Sequence, residues 1–450
     1  MKIHSCPLSL QEFVSFLAEE HRGLMKHLAW CVHCRKRLEV ILDRRSGPLV
    51  ERLAEVLPWP NRAVDYGRAI AAAERRLLVH AQSLAAERAE APARLAELME
   101  QPPERREMLI RNHPRFQTWG LLERLIEHAR EQCFANPLSA ESLARLALSL
   151  ANALEAGYYG AERIEDLRAR AWGYVGNALR VRFELQGAEE AFEKAFTLLR
   201  QGTGDVLERA LLLDLRASLR RDQRRFAAAE RLLLRALRIY REVGETHRVG
   251  RALVSMSLVY EQAGTPERSI PLLHEALELI DAEREPRLLW SAHHNLITTL
   301  AEAGRFMEAR GLFIQARPLY DRFLDGHTQN RCHWVAGRIA RGLGQTQKAE
   351  THLQAARTGF LSEEAAYDTA LVSLDLALLY AEQGRTAELK RIAEEMLAIF
   401  SSRQIHREAL AALTFLHRAA AAERASLEVV TRVATHLKRL RYDPDLTFHQ

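Results

Sequence analysis

Residues 263–277 read Ala263-Gly264-Thr265-Pro266-Glu267-Arg268-Ser269-Ile270-Pro271-Leu272-Leu273-His274-Glu275-Ala276-Leu277. This is the order expected where one helix ends and another begins. Gly264 can take the left-handed backbone conformation that closes a helix. Thr265 stands where a capping hydroxyl is wanted. Pro266 falls at the first helical position, where its missing N–H costs nothing. Glycine returns at Gly304, Gly344 and Gly384, each 40 residues after the last, and Arg224 holds the slot one period earlier.

Small residues keep the same period. Ala229, Ser269, Ala309 and Ala349 follow the slot, with Leu389 the exception. Ala236, Ala276, Ala316 and Ala356 come seven residues further on, then Met396. Ala217, Ser257, Gly337 and Ala377 precede the slot by seven, with Ile297 the exception. An earlier copy fits at Gly176, Phe183, Ala188 and Ala195, one residue out of phase. Small side chains let helix A of a pair approach helix B closely. Leu233, Leu273, Phe313 and Leu353 are then expected to fill the groove between them. An irregular bundle has no reason to keep such a period.

The pattern resembles tetratricopeptide repeats, at about 40 residues per repeat instead of the roughly 34 of the common form. Ser269 to Leu277 looks like the second helix of the longer, kinesin-light-chain-like version. The resemblance covers about 165–405 as six repeats. Residues 118–164 and 406–440 read as diverged capping helices. It implies an all-α fold, a right-handed α-solenoid of helix pairs, whose A helices line a surface that binds protein or peptide partners. No run alternates with period two, so no sheet is expected.

Composition agrees. The chain has 450 residues, 48% hydrophobic and 27% charged, which is globular rather than disordered. Aromatics are 7%. The 64 basic residues are 57 Arg and 7 Lys, set against 59 acidic ones, for a net charge of +5. An excess this small over this length does not mark a nucleic-acid binder. No stretch reaches the roughly 18 apolar residues of a membrane span. Met1 to Leu10 lacks the apolar core of a signal peptide, so a cytoplasmic location is expected. Five cysteines, three of them in the first 34 residues, do not make a secreted disulfide framework.

Three of those cysteines carry the sharpest chemical motif. His27-Leu28-Ala29-Trp30-Cys31-Val32-His33-Cys34 spaces its ligands as H-x3-C-x2-C. On a helix, positions i, i+4 and i+7 share a face. His27, Cys31 and Cys34 therefore point together, and one more ligand closes a tetrahedral zinc site. Cys6 is the natural fourth; His4, His21 and His33 are rivals. Between them Ser9 to Glu20 can form a helix with Ser9 and Glu12 as a capping box. The cluster resembles the zinc-binding anti-sigma-factor domain, over about 40 residues. That resemblance implies a structural Zn²⁺ and a sigma factor as one possible partner.

The chain thus divides into a zinc-binding module (1–45), a proline-punctuated helical linker or cap (46–117), the repeat array (118–440) and a tail (441–450). Asn61 to Leu98 reads as a helix inside the linker. No H-E-x-x-H, P-loop, G-x-G-x-x-G or G-x-S-x-G is present, so an enzyme is not expected. Cys332 falls on an A helix, where a buried apolar role is expected. The usual repeat register puts Arg170, Asn177, Arg180, Arg221, Arg251, His294, Asn295, Thr298, Arg331, Trp334, Arg338 and Arg341 on the A-helix wall. Arginine forks suit carboxylates and a Trp supplies an apolar anchor, so an acidic segment of a partner protein is the expected ligand. The expected role is a regulatory adaptor acting on a sigma factor. The alternative is a scaffold or sensor serving a protease or effector, with the zinc purely structural.

Overall fold

The computed structural model describes residues 66–133, 136–402, 407–421, 425–440 and 446–448. The expected zinc ligands Cys6, His27, Cys31 and Cys34 lie outside the described residues, as do the capping box and Asn61. Two compact units divide the chain, Met1–Arg216 and Ala217–Gln450. Among the described residues there is no strand.

The first unit contains α1 (Tyr66–Met99), α2 (Pro103–Asn112), a 3-10 turn (Pro114–Phe116), α3 (Trp119–Gln132), α4 (Pro137–Ala153), the single turn α5 (Ala156–Tyr159), α6 (Ala161–Val181) and α7 (Leu185–Leu199). Helix α8 (Val206–Asp222) carries the chain from this unit into the second. The expected boundary near 117 runs through packed structure. Glu87 of α1 accepts the backbone N–H of Trp119 at 2.7 Å, and Arg88 grips Glu123 at 2.6 Å. A Cβ on Gly120 would sit 2.4 Å from the Glu87 carbonyl, so α1 and α3 touch backbone to backbone.

The second unit continues as α9 (Phe226–Val243), α10 (Thr246–Gln262), a 3-10 turn (Pro266–Arg268), α11 (Ser269–Leu279), α12 (Pro286–Glu302), α13 (Phe306–Asp321), α14 (Gly326–Gly342), α15 (Thr346–Ser362), α16 (Ala366–Glu382), α17 (Thr386–Ser402), α18 (Arg407–Ala421) and α19 (Leu427–Leu440). Six helix pairs, α6/α7 through α16/α17, span the residues where six repeats are expected, the even-numbered helix being A.

Every A helix ends the same way. Gly264, Gly304, Gly344 and Gly384 have φ between 67° and 81°. Phe183 and Arg224 adopt φ of 63° and 60° in the same slot without being glycine. The following N–H reaches back to a carbonyl in the last turn: Thr265 to Tyr260 at 2.9 Å, Arg305 to Leu300 at 2.8 Å, Gln345 to Ala340 at 2.9 Å. This bond satisfies a carbonyl the helix end would otherwise leave bare. The expected cap at Thr265 is not made. Its hydroxyl donates back to the Tyr260 carbonyl at 3.2 Å, because Pro266 begins a short 3-10 turn before α11 instead of α11 itself.

The periodic small residues are the contact points of each pair. Ala229, Ala236, Ala276, Ala309, Ala349 and Ala356 are fully buried. A Cβ added to Gly337 would stand 2.7 Å from Leu353 Cγ. The larger exceptions Ile297, Leu389 and Met396 are buried too. Leu273 and Leu353 fill the grooves, each burial contributing roughly 1.5–3 kcal/mol.

Candidate protein-binding face

In the second unit, three successive A helices, α12, α14 and α16, bring polar side chains into one row. Asp375 of α16 is its centre and is almost completely buried. It accepts Trp334 Nε1–H at 2.7 Å, and Arg338 Nε lies 3.2 Å away. Arg341 approaches the other oxygen at 3.6 Å and reaches Glu382 at 3.6 Å. Arg338 also donates to Glu302 of α12 at 3.0 Å, and its guanidinium stands 5.7 Å above the Trp334 ring. Burial alone would raise the Asp375 pKa; Arg338, Lys438, Arg341 and the Trp334 N–H outweigh it and hold the carboxylate ionised.

Other wall residues follow the same rule. Arg251 is bonded to Glu285, which also takes His247 Nε2 at 3.2 Å. Arg221 pairs with Asp222 at 2.7 Å. His294 is buried, with Nδ1 2.9 Å from the Tyr320 hydroxyl and its ring stacked on Trp290 at 5.3 Å. Burial, then Arg331, Arg338 and His327, push its pKa down to about 3. Arg331 donates to His327 at 3.0 Å, and Asn295 and Thr298 are half-buried on α12.

Arg170, Asn177 and Arg180 belong to the first unit. Arg170 Nε donates to Glu208 at 2.9 Å. Asn177 is buried, donates to Cys133 Sγ at 2.9 Å and accepts from Arg180 Nε at 3.0 Å. Cys332 is buried on α14.

The basic row expected to meet an acidic partner is therefore already compensated within the chain at Arg170, Arg221, Arg251, Arg338 and Arg341. Sequence reasoning listed the cations and missed Glu208, Glu285, Glu302 and Asp375. A signal existed. These acids stand 38, 34, 36 and 41 residues from their partners, close to one repeat length. Arg170 and Arg251 meet a carboxylate at or just before the next A helix, Trp334 and Arg338 meet Asp375 on the next one, and Arg338 also reaches back to Glu302 on the one before. What the arrangement can do is hold the A helices in fixed spacing through a nearly buried charge cluster.

Residues 207–282 match the family model described as tetratricopeptide repeat. No match was found among curated proteins. Among solved structures, the chain is similar to a Rap protein complexed with competence and sporulation factor, at 13% identity over 71% of this chain and 87% of that one, with a TM-score of 0.53. It is also similar to the apo form of RapI, at 16% identity over 62% and 97%, TM-score 0.46. Aspartyl phosphate phosphatase F from Bacillus subtilis aligns at 13% identity over 73% and 96%, TM-score 0.44. The repeat match and the likeness to the first structure support an all-helical, α-solenoid type of fold built from tetratricopeptide-like helix pairs. Among the described residues, no helix is long and apolar enough to cross a membrane.

Proposed function

We propose that the chain is a bacterial cytoplasmic regulatory adaptor that binds a protein or peptide along the A helices of its repeats, and that it is not an enzyme. The observation that carries this is the row from Glu302 through Trp334, Arg338 and Asp375, where consecutive A helices present one continuous mixed-charge face. A partner segment laid along it would meet several repeats at once, which is how such arrays gain affinity from modest local contacts. The similar Rap structure contains competence and sporulation factor, which favours a binding role. Because the arginines are already paired, the ligand must exchange with internal carboxylates or bring both charges. A purely acidic segment would compete with Asp375 and Glu302.

In this reading the N-terminal module holds one structural Zn²⁺ through Cys6, His27, Cys31 and Cys34 and docks a second protein, a sigma factor by its likeness to anti-sigma-factor domains. The test is cross-linking in cells. A photoreactive phenylalanine analogue at position 295, on the half-buried A-helix face, should trap a defined partner. The same analogue at position 314, where Ile314 is exposed on helix B α13, should not. Equal trapping at both positions, or trapping only at 314, would remove the A-helix face as the binding surface.

A further inference from the structure

The last helix pair does not stack like the others. Helices α11, α13, α15 and α17 each pack on their own A helix and on the A helix that follows, as α15 does on α14 and α16. Helix α19 packs on its own partner α18 and turns back onto α16, the A helix of the preceding repeat. Val430, Val433, Ala434, Leu437 and Leu440 make one apolar stripe with helical spacing, all buried. The stripe joins Leu371, Leu374 and Leu378 of α16 and Leu416 of α18 in one core.

Two polar features complete the seat. The Tyr367 hydroxyl of α16 donates to the backbone carbonyl of Leu437 in the last turn of α19. That contact reads a helix end and not a side chain. Next to it Lys438 lies close enough to Arg338, Asp375, Glu302 and Arg341 to feel all four charges. Asp375 and Glu302 attract it, while Arg338 and Arg341 repel it. The repulsion, first from Arg338, and then burial hold the ammonium below its ordinary pKa.

We propose that the A-helix face of α16, flanked by Arg338 and Arg341 of α14, is a receptor for an amphipathic helix, that α19 is its resident occupant, and that a partner helix of the same chemistry exchanges with it. The fitting partner carries apolar residues at i, i+3, i+4, i+7 and i+10 and a lysine beside the last turn. This is the helix-in-groove mode of recognition, satisfied here in cis. It rests on the binding reading above and deepens it: the mixed-charge row is the polar end of the receptor.

The probe is a fluorescent peptide of residues 425–441, added to the full-length chain. In the wild type the tethered α19 competes at high effective concentration, so the peptide binds weakly. Leu437→Asp in the chain releases α19, and the peptide should then bind at least tenfold more tightly. The peptide carrying Leu437→Asp should bind neither protein. Hydrogen exchange on the same samples should show α16 still protected when α19 is released. Loss of protection in α16 would make α19 a fixed part of the core and overturn the exchange. Equal peptide affinity for wild type and Leu437→Asp, or none for any variant with α16 intact, would overturn it as well. Since no natural partner is needed, peptide exchange without a cross-link at position 295 keeps the receptor and removes the partner reading; the reverse result does the opposite.

Discussion

Gly304 shows how much one backbone angle decides. Its φ is 75° and nothing lies within 4 Å of where a Cβ would be, so a substitution there meets strain and no clash. Gly304→Val should destabilise by roughly 1–2 kcal/mol through the left-handed backbone alone. Phe183 holds the same conformation and is 82% exposed. Phe183→Gly should therefore stabilise, by about 0.5–1 kcal/mol after the extra chain entropy of glycine is subtracted. Urea midpoints of the two variants, moving in opposite directions, are the check. A second residue-scale effect is acid sensitivity at His294. Its folded pKa of about 3 lies below the unfolded 6.5, so the unfolded chain binds more protons between those values. Stability is complete above about pH 6.5 and is lost as pH falls toward 3. His294→Gln should shed about 1–2 kcal/mol of the loss seen in wild type between pH 7 and 5. Parallel pH profiles for the two proteins would show that the imidazole is not the group responsible.

Between elements, packing and charge pairing do separate jobs. The periodic small residues set how near helices A and B come, and Gly337 against Leu353 is an example within α14/α15. Charge pairing then ties one A helix to the next, through Asp375 between α14 and α16. Asp375→Asn would leave Arg338, Arg341 and Lys438 without their shared counter-ion in a buried position. The expected loss is about 3–5 kcal/mol, as for breaking other buried pairs. Adding Arg338→Met should restore part of it, because one of the stranded charges is removed along with its desolvation cost. A double-mutant cycle by chemical denaturation measures the coupling, and strict additivity would show that the pair does not interact.

For the whole chain, the prediction concerns zinc. Freshly purified, reduced protein should carry one Zn²⁺ per chain by elemental analysis, and Cys31→Ser should lose it. Thiolates bind metal only when deprotonated, so affinity should fall with acid. A chelator should remove the metal and leave helix content over 118–440 unchanged, since the repeats hold themselves together by apolar contact. Protein free of zinc would end the anti-sigma likeness as a guide to function.

The sequence by itself determined the period, the helix ends and the contact positions of the repeats. Those depend on local chemistry: glycine where φ is positive, a small side chain where two backbones approach. It also carries the H-x3-C-x2-C spacing of His27, Cys31 and Cys34, on which the zinc proposal rests. It did not reveal that the arginine row is compensated, that Thr265 caps nothing, or that α19 turns back onto α16. Charge pairing depends on which carboxylate a neighbouring helix presents, and the apolar stripe of α19 could have been buried against any apolar surface of similar shape. Only the packed structure selects among such partners, because hydrophobic contact is non-directional and long-range ion pairs leave no mark within either helix.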